Sequence, residues 1–462
     1  MQEVLSAMYK LSIFSLVLLV VAAIDSIRNL PVTAIFGSSL IFFFLFSALL
    51  FLIPISLVSA EFASRFPKEG GTFHWVRHAF GERVGVLAVW LQWINTIVWY
   101  PTILSFIAGT AAYLIHPPLA NNKIFLAIVI LIVFWLLTLL NFRGIHISAK
   151  INSCCSIFGT LLPIAFLILL GLGWVIAKKP MHISFTWDSL LPSLRQTDNW
   201  ASLIAIMASY LGMELSGVHV GDIDNPQKNY PKAMFYSVCI LLGTMIGGAL
   251  SIAVLLPKEE IRFVDGIMQT FSTFLEAFGL SFLVPLLAVL IILGSSGGMI
   301  NWLLSPAKGL MQAAQFGYLP PFFVEKNTQG VPVRILLTQA ILVSLFCFAF
   351  LFMPSINAFY WFLTALSTGL YMFMYILLFL SALKLGRPGR ESLAYRMPKG
   401  IRTITCLTGL FGCVLTIVIG FDPPSSVDFG GAFYYARLIA FGNLITIAPV
   451  ALLWIYQKKR TD

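Results

Sequence analysis

The sequence predicts an all-helical protein that crosses a membrane many times. Hydrophobic residues make up 59% of the 462 residues, charged residues only 10%, and the mean hydropathy is +0.91. Apolar stretches of about 20 residues, the length that a helix needs to cross the hydrocarbon core, recur along the chain. Twelve are predicted to be spans, numbered here in chain order: 11–36, 38–60, 84–112, 123–142, 147–177, 199–222, 233–256, 281–307, 332–353, 356–382, 402–421 and 434–457.

Lys and Arg are divided unequally between the two sets of loops. If the amino terminus is cytoplasmic, 21 of the 29 basic residues fall on the cytoplasmic side, 7 fall on the other side, and Arg28 lies within span 1. Cytoplasmic loops carry such an excess, so the count predicts that both termini are cytoplasmic. Topology and anionic lipid account for the net charge of +10, and no nucleic-acid partner is predicted.

The six cysteines all fall in apolar spans, without CxxC spacing and without neighbouring histidines. This pattern is typical of small core residues. No metal site, cofactor or disulfide framework is therefore predicted.

Span 1 carries two charged residues inside its apolar stretch. Asp25 and Arg28 are followed within one turn by Pro31. A charge at mid-bilayer depth costs roughly 2.5 to 3.5 kcal/mol, so such residues are retained mainly where they face a protein interior or a watery cavity. The placement predicts a binding site or a pathway. The alternative is that Asp25 and Arg28, one turn apart, only neutralise each other.

Span 6 carries a second interruption, GMELSG at 212–217, which contains Glu214. Proline removes a backbone donor and glycines loosen the backbone, so spans 1 and 6 are both predicted to be broken helices with free main-chain groups. Close helix packing is the alternative for the glycines. Spans 1 and 6 begin two successive five-helix blocks, where inverted-repeat transporters have discontinuous helices. The pattern predicts a solute site near mid-membrane, between the halves.

The run YLGMELSGVHVGDIDNPQKNYPKA at 210–233 resembles the span 6 signature of the amino acid-polyamine-organocation superfamily, in particular that of its bacterial glutamate/GABA antiporter branch. Shorter stretches agree: Ala60-Glu61, the Gly-Gly pair ahead of Phe73 and Trp75, and GIMQTF at 266–271. The resemblance implies a leucine-transporter-like core, with spans 1 to 10 in two inverted repeats and spans 11 and 12 outside. The implied units are 1–178, 198–384, and 400–462 with a short cytoplasmic tail. The implied location is a bacterial-type inner (plasma) membrane.

The same resemblance implies which residues contact the substrate. Main-chain groups around Ile27 and around Glu214 would line the site, and Tyr371 and Tyr375 match paired tyrosines that close over substrate in the family. Ordinary packing is the alternative for the tyrosines. The predicted substrate-binding residues are Asp25, Ser26, Ile27, Arg28, Asn29, Tyr210, Gly212, Met213, Glu214, Leu215, Ser295, Gly298, Tyr371 and Tyr375.

The polar residues leave the substrate open. The related antiporters have aromatic residues in the span 1 break and a glutamate at the position of Gly298, so this sequence departs from them at both places. Arg28 suits an acidic side chain in a bidentate contact, whereas Asp25 suits the amine of a neutral or cationic amino acid. Glu214 and His219 are the candidates for proton coupling. A Glu214 paired with Arg28 is the alternative.

The predicted function is alternating-access transport of an amino acid, most simply as exchange, with membrane lipids as surroundings. Proton-coupled symport of a neutral or cationic amino acid is the alternative. A remote alternative is an intramembrane serine protease, because Gly294-Ser295-Ser296-Gly297 satisfies a GxSG pattern. A serine nucleophile needs a histidine base, and the histidines fall in loops or at span ends, so no enzyme is predicted.

Overall fold

The computed structural model describes residues 11–66, 71–143, 154–192, 197–353, 355–387, 395–424 and 427–461. Apart from one isolated bridge between Leu11 and Ile223, the regular structure in these ranges is helical. The start of the predicted span 5 and the first glycine of the Gly-Gly pair lie outside the described residues.

The first half of the chain forms five predicted spans. Span 1 consists of Ile13–Ile24, a 3₁₀ turn at Ile27–Asn29, and Leu30–Ala34. Span 2 combines Leu40–Ser47, a π-helical turn at Ala48–Leu52, and Ile53–Arg65. The remaining helices are the short Thr72–Phe80, Glu82–Ile115 for span 3, Lys123–Phe142 for span 4, and Ile157–Leu161 with Leu162–Ile176 for span 5.

The second half repeats this alternation of long helices and short connections. Span 6 consists of Thr197–Ser209 and a 3₁₀ helix at Leu215–Asp222. The helices that follow are Pro226–Leu255 for span 7, the short Gly266–Ala277, Val284–Gln315 for span 8, Val333–Phe350 for span 9, Ile356–Leu385 for span 10, Lys399–Ile419 for span 11 and Ala432–Thr461 for span 12.

Ten helices in the described ranges are long and apolar enough to cross a membrane. Two of the twelve predicted spans are not among them. Span 6 loses its regular helix after Ser209, and span 9 is represented by a shorter apolar helix, Val333–Phe348. The chain is therefore a polytopic helical membrane protein in which span 6 is a broken element.

Span 3 lies at the centre of the bundle. Its most apolar window is 78% buried, against 39% for span 11 and 22% for span 12, and it packs most extensively against spans 8 and 10. Its interior position explains why it tolerates Gln92 and Asn95 within an apolar helix, since polar groups avoid contact with lipid.

Spans 5 and 8 approach each other through glycine. A Cβ atom added to Gly294 would clash with the Cα atom of Gly159, and one added to Gly297 would lie 2.7 Å from the sulfur of Cys155. Small residues let membrane helices approach this closely. The two glycines of the GxSG pattern therefore have a packing role.

Candidate functional site

Span 1 is interrupted at the predicted position. The helix Ile13–Ile24 ends at Asp25, and Ser26 adopts an extended conformation (φ −133°, ψ 108°) before a single 3₁₀ turn. Pro31 then occupies the first turn of Leu30–Ala34, where its missing N–H costs no helical hydrogen bond. The break places the side chains of Asp25 and Arg28 inside the protein, with 4% and 5% of their surface exposed.

The Arg28 guanidinium contacts only neutral groups among the described residues. Its Nη1 donates to the hydroxyl of Thr102 at 2.6 Å and to that of Tyr360 at 3.2 Å, and its Cζ lies 4.7 Å from the ring centroid of Trp99. Its Nε is buried without a hydrogen-bond partner. A buried guanidinium is thus held by two hydroxyls and an indole face, without a compensating carboxylate.

Asp25 does not provide that carboxylate. Both of its oxygens are buried and have no hydrogen-bond partner among the described residues. Thr244 of span 7 lies beside it, but the Thr244 hydroxyl donates to the carbonyls of Ile240 and Leu241 in its own helix. The alternative in which Asp25 and Arg28 neutralise each other is therefore wrong for this structure.

Span 6 is interrupted at the second predicted position. Regular helix ends at Ser209, turns follow, and 3₁₀ helix resumes at Leu215. Gly212 has φ +108°, a conformation that side chains other than glycine rarely adopt, and its amide donates to the hydroxyl of Tyr375 at 2.8 Å. The glycine therefore makes this particular turn possible, and packing is not its only role.

Glu214 is buried to 1% exposure and has three donors from two other spans. Its Oε1 accepts from the Tyr371 hydroxyl at 2.6 Å and from Nε2 of Gln92 at 3.1 Å, while its Oε2 accepts from the Tyr375 hydroxyl at 2.5 Å. Glu214 is not paired with Arg28, so that alternative also fails. The carboxylate instead connects the broken span 6 to spans 3 and 10.

A narrow cleft of about 20 Å³ begins at Glu214. It runs towards the short helix Thr72–Phe80 and the end of span 8, which the basic-residue count predicts to be cytoplasmic. The buried hydroxyl of Thr72 has no partner among the described residues. The polar residues that line the cleft are Thr72, Gln92, Glu214, Ser305 and Gln312.

The Arg28 and Glu214 sites share two helices but lie at different depths. Gln92 and Thr102 are ten residues apart on span 3, which corresponds to about 15 Å along a helix. Tyr360 and Tyr371 are similarly spaced on span 10, with Tyr360 at the Arg28 site and Tyr371 at the Glu214 site. The Arg28 site therefore lies about 15 Å further from the cleft mouth than the Glu214 site does.

The remaining predicted residues of span 6 lie in different surroundings. Met213 is buried, Leu215 lines the cleft, and the hydroxyl of Tyr210 donates to the Phe44 carbonyl at 3.0 Å, directed at span 2. The His219 side chain lies outside the described residues.

Two further predicted residues, Ser295 and Gly298, lie on span 8. Gly298 shares a helix face with Trp302, because the two are four residues apart. Trp302 contacts Trp99, with ring centroids 5.1 Å apart, and borders Gly212. Ser295 lies one turn before Gly298, so both are on or near the face that meets the breaks.

Sequence reasoning missed the partners of the two buried charges. Gln92, Trp99, Thr102 and Tyr360 contact Arg28 or Glu214, and none was predicted. A signal was present for Gln92, since an amide within a long apolar span marks a protected interior. Thr102 and the two aromatic residues carry no such signal, because they are common in apolar helices.

A loop segment covers the Arg28 site on the side away from the cleft. The Phe263 ring lies 6.2 Å from that of Tyr360, and a Cβ on Gly266 would lie 2.9 Å from the Cβ of Pro31. Asp265, with only 2% of its side chain exposed, accepts from the Tyr113 hydroxyl at 3.0 Å and pairs with Arg262 at 3.1 Å. Burial raises the pKa of the Asp265 carboxyl above its usual range, and the Arg262 cation opposes that shift.

The two helix breaks, the buried charges and the cleft define a membrane transporter. The fold is similar to that of the crystal structure of a mutant manganese transporter from Eremococcus coleocola, with a TM-score of 0.61 and 15% identity over 96% of this chain and 94% of that one.

The family is shown by sequence. Residues 11–448 match the family model described as amino acid permease, and the chain belongs to this family, within the superfamily that the span 6 motif predicted. It is 38% identical over 458 residues, 98% of this chain and 97% of the relative, to an uncharacterized transporter of Legionella pneumophila. It is 28% identical over 463 residues, 98% and 92%, to a glutamate/gamma-aminobutyrate antiporter of Lactococcus lactis. The protein is thus a transporter of amino acids or polyamines and not an enzyme.

Proposed function

We propose that the protein exchanges one amino acid for another across the inner membrane by alternating access. The observation that carries this proposal is the buried Arg28 guanidinium, which lies in a helix break and has no carboxylate partner within the described ranges. A buried cation is costly unless it is paired, so a substrate carboxylate is the group that would complete the site. Arg28 offers a guanidinium fork suited to such a contact.

The site residues take separate roles in this proposal. The main chain at Ser26, Ile27 and Asn29 would bind the substrate together with Arg28. The main chain at Met213 and Leu215 would contact the substrate on the side of the path nearer Glu214. Glu214, Tyr371 and Tyr375 would transmit the shape of the span 6 break to span 10. Ser295 and Gly298, on the face of span 8 that meets the breaks, would border the substrate.

The proposed architecture extends the ten membrane-spanning helices to twelve spans, with both termini cytoplasmic. Residues 1–178 and 198–384 would form the two inverted repeats, and 400–462 the two outer spans and tail. The cleft at Glu214 would then open to the cytoplasm, while the segment around Phe263 would cover the outer side.

Antiport is favoured over symport by the sequence likeness to the glutamate/gamma-aminobutyrate antiporter. Proton-coupled symport, with Glu214 or His219 as the coupling group, is the second candidate. It is favoured by the burial of Glu214, since a buried carboxylate is a group that proton binding can neutralise.

Purified protein in liposomes tests both. Vesicles are preloaded with one amino acid or amine at a time, and entry of labelled L-glutamate, γ-aminobutyrate, neutral amino acids and putrescine is measured. Exchange requires an internal substrate, whereas symport requires only a proton gradient. If no amino acid or amine is carried under any gradient, the transport proposal is wrong.

A further inference from the structure

Asp25 is a buried acid that has neither a hydrogen-bond partner nor a neighbouring cation among the described residues, and only the nearby Thr244 hydroxyl favours its charged form. Its side chain is 4% exposed, and both carboxylate oxygens lack hydrogen-bond partners. Span 7 faces it with Thr244, which is uncharged and bonded to its own helix. Arg28 points instead towards spans 3 and 10.

The other titratable groups nearby do not change this setting. Glu214 is occupied by Gln92, Tyr371 and Tyr375. The 3₁₀ helix of span 6 also packs against span 1, and it carries His219 and Asp222, whose side chains lie outside the described residues. That segment meets span 1 near Leu11, at the opposite end of Ile13–Ile24 from Asp25.

Asp25 and Glu214 therefore differ in what an ionised carboxylate would encounter. Glu214 has three donors, whereas the Asp25 oxygens have no hydrogen-bond partner in the part of the chain that the structure describes. Without donors, water or a cation, the neutral acid is the form that the empty site accommodates. A substrate ammonium group beside Asp25 would supply the missing cation and would favour the ionised form.

We propose that Asp25 holds a proton when the site is empty and gives it up to solvent when a substrate ammonium group binds. The O–H bond of the Asp25 carboxylic acid breaks, the proton leaves with water, and the carboxylate pairs with the ammonium group, which keeps its own protons. The inference rests on the proposed transport function and assigns its proton-linked residue to span 1, whereas Glu214 serves as a mechanical tie.

Infrared spectroscopy of the purified, substrate-free protein tests whether Asp25 holds a proton when the site is empty. We expect a protonated-carboxyl band at neutral pH that Asp25→Asn removes. Glu214→Gln and Asp265→Asn, matched changes at two other buried acids, and His219→Gln should leave that band in place. Asn has the shape of the neutral acid, so Asp25→Asn should fold, and size-exclusion profiles check this. Asp25→Glu provides a second variant, in which the band should shift but persist.

The release of the proton on substrate binding is tested with L-glutamate and γ-aminobutyrate as probes. The probe that the protein transports in liposomes should diminish the Asp25 band on binding. It should also release about one proton per bound molecule, measured with a pH dye in weak buffer. A band that survives Asp25→Asn, or wild-type protein without such a band, would overturn the proton-holding role. A transported probe that leaves the band unchanged would overturn the exchange of proton for ammonium. If neither probe nor any other amine is carried but the band depends on Asp25, the transport proposal fails while the proton-holding role stands.

Discussion

The Arg28 and Glu214 sites differ in how completely their surroundings compensate the buried charge. Arg28 meets two hydroxyls and the face of Trp99, and its Nε has no partner. Glu214 meets three donors that engage both of its oxygens. A site whose charge is left uncompensated is prepared for a ligand, whereas one whose hydrogen bonds are complete is prepared to hold a fixed geometry.

In the proposed mechanism, the two helices that the sites share would couple ligand binding at Arg28 to the geometry around Glu214. Spans 3 and 10 each contribute to both sites, about 15 Å apart along the helix. A ligand that repositions Arg28 against Thr102 and Tyr360 therefore acts on the same two helices that carry Gln92, Tyr371 and Tyr375. Differential binding to two arrangements is what alternating access requires.

Arg28→Ala should have the largest effect on substrate affinity. It tests whether the uncompensated charge at the Arg28 site binds the substrate. Loss of a guanidinium that pairs with a buried carboxylate costs about 3 kcal/mol, or roughly a hundredfold in affinity. Uptake of labelled acidic and neutral amino acids into liposomes measures it. The loss should be larger for acidic substrates if Arg28 contacts a side-chain carboxylate, and equal if it contacts the α-carboxylate.

Arg65→Ala is the matched control for Arg28→Ala. Arg65 donates to the carbonyls of Leu385 and Gly386 at the end of span 10, away from both breaks. Its loss should leave the ratio of acidic to neutral uptake unchanged. If Arg28→Ala only lowers protein yield and leaves the affinity of the remaining folded protein intact, Arg28 is structural.

The sequence predicted the spans, the breaks and the three buried charges better than their partners. Hydropathy and glycine or proline placement are local signals, and they located Asp25, Gly212 and Glu214 correctly within broken elements. The contact between Arg28 and Tyr360 joins residues 332 positions apart, and nothing local in either span specifies it. The alternatives in which Arg28 pairs with Asp25 or with Glu214 are wrong for the same reason, because a buried charge indicates that a partner is needed but not which helix supplies it.

Tyr375→Phe should impair the Glu214 site more than Tyr371→Phe. Tyr375 is the donor to Oε2 and also accepts the Gly212 amide, whereas Oε1 keeps Gln92 when Tyr371 is removed. A hydrogen bond to a charged group contributes about 1.5–3 kcal/mol, so Tyr375→Phe should lower transport roughly tenfold and also lower Tm. Tyr236→Phe, at a tyrosine with 52% exposure, is the control. Equal effects of the two variants would show that the Gly212 contact contributes nothing.

Gly212→Ala and Gly298→Ala should separate conformational strain from contact with substrate. Gly212 has φ +108°, and an added Cβ would lie 3.2 Å from Leu215, so alanine there should destabilise the protein by about 1–3 kcal/mol. A Cβ on Gly298 meets nothing within 4 Å, so alanine there should preserve Tm. Thermal unfolding in detergent measures both. A lowered Tm in Gly298→Ala would indicate that the open space on span 8 is filled in the folded protein.

Asp265→Asn should have the smallest effect and concerns the cover over the Arg28 site. Burial raises the pKa of Asp265 in the folded protein, so the folded state binds the proton more tightly than the unfolded state does. Stability should then rise as pH falls through the raised pKa and reach its full gain below the ordinary value. Asn cannot titrate, so the variant should lack this contribution while keeping an acceptor for Tyr113. Tm measured from neutral to acidic pH checks the difference between the two proteins, which we expect to correspond to about 1 kcal/mol or less. A difference that grows in the opposite direction would mean that the Arg262 pair outweighs burial, and that the cover is held by charge and not by packing of Phe263 and Gly266.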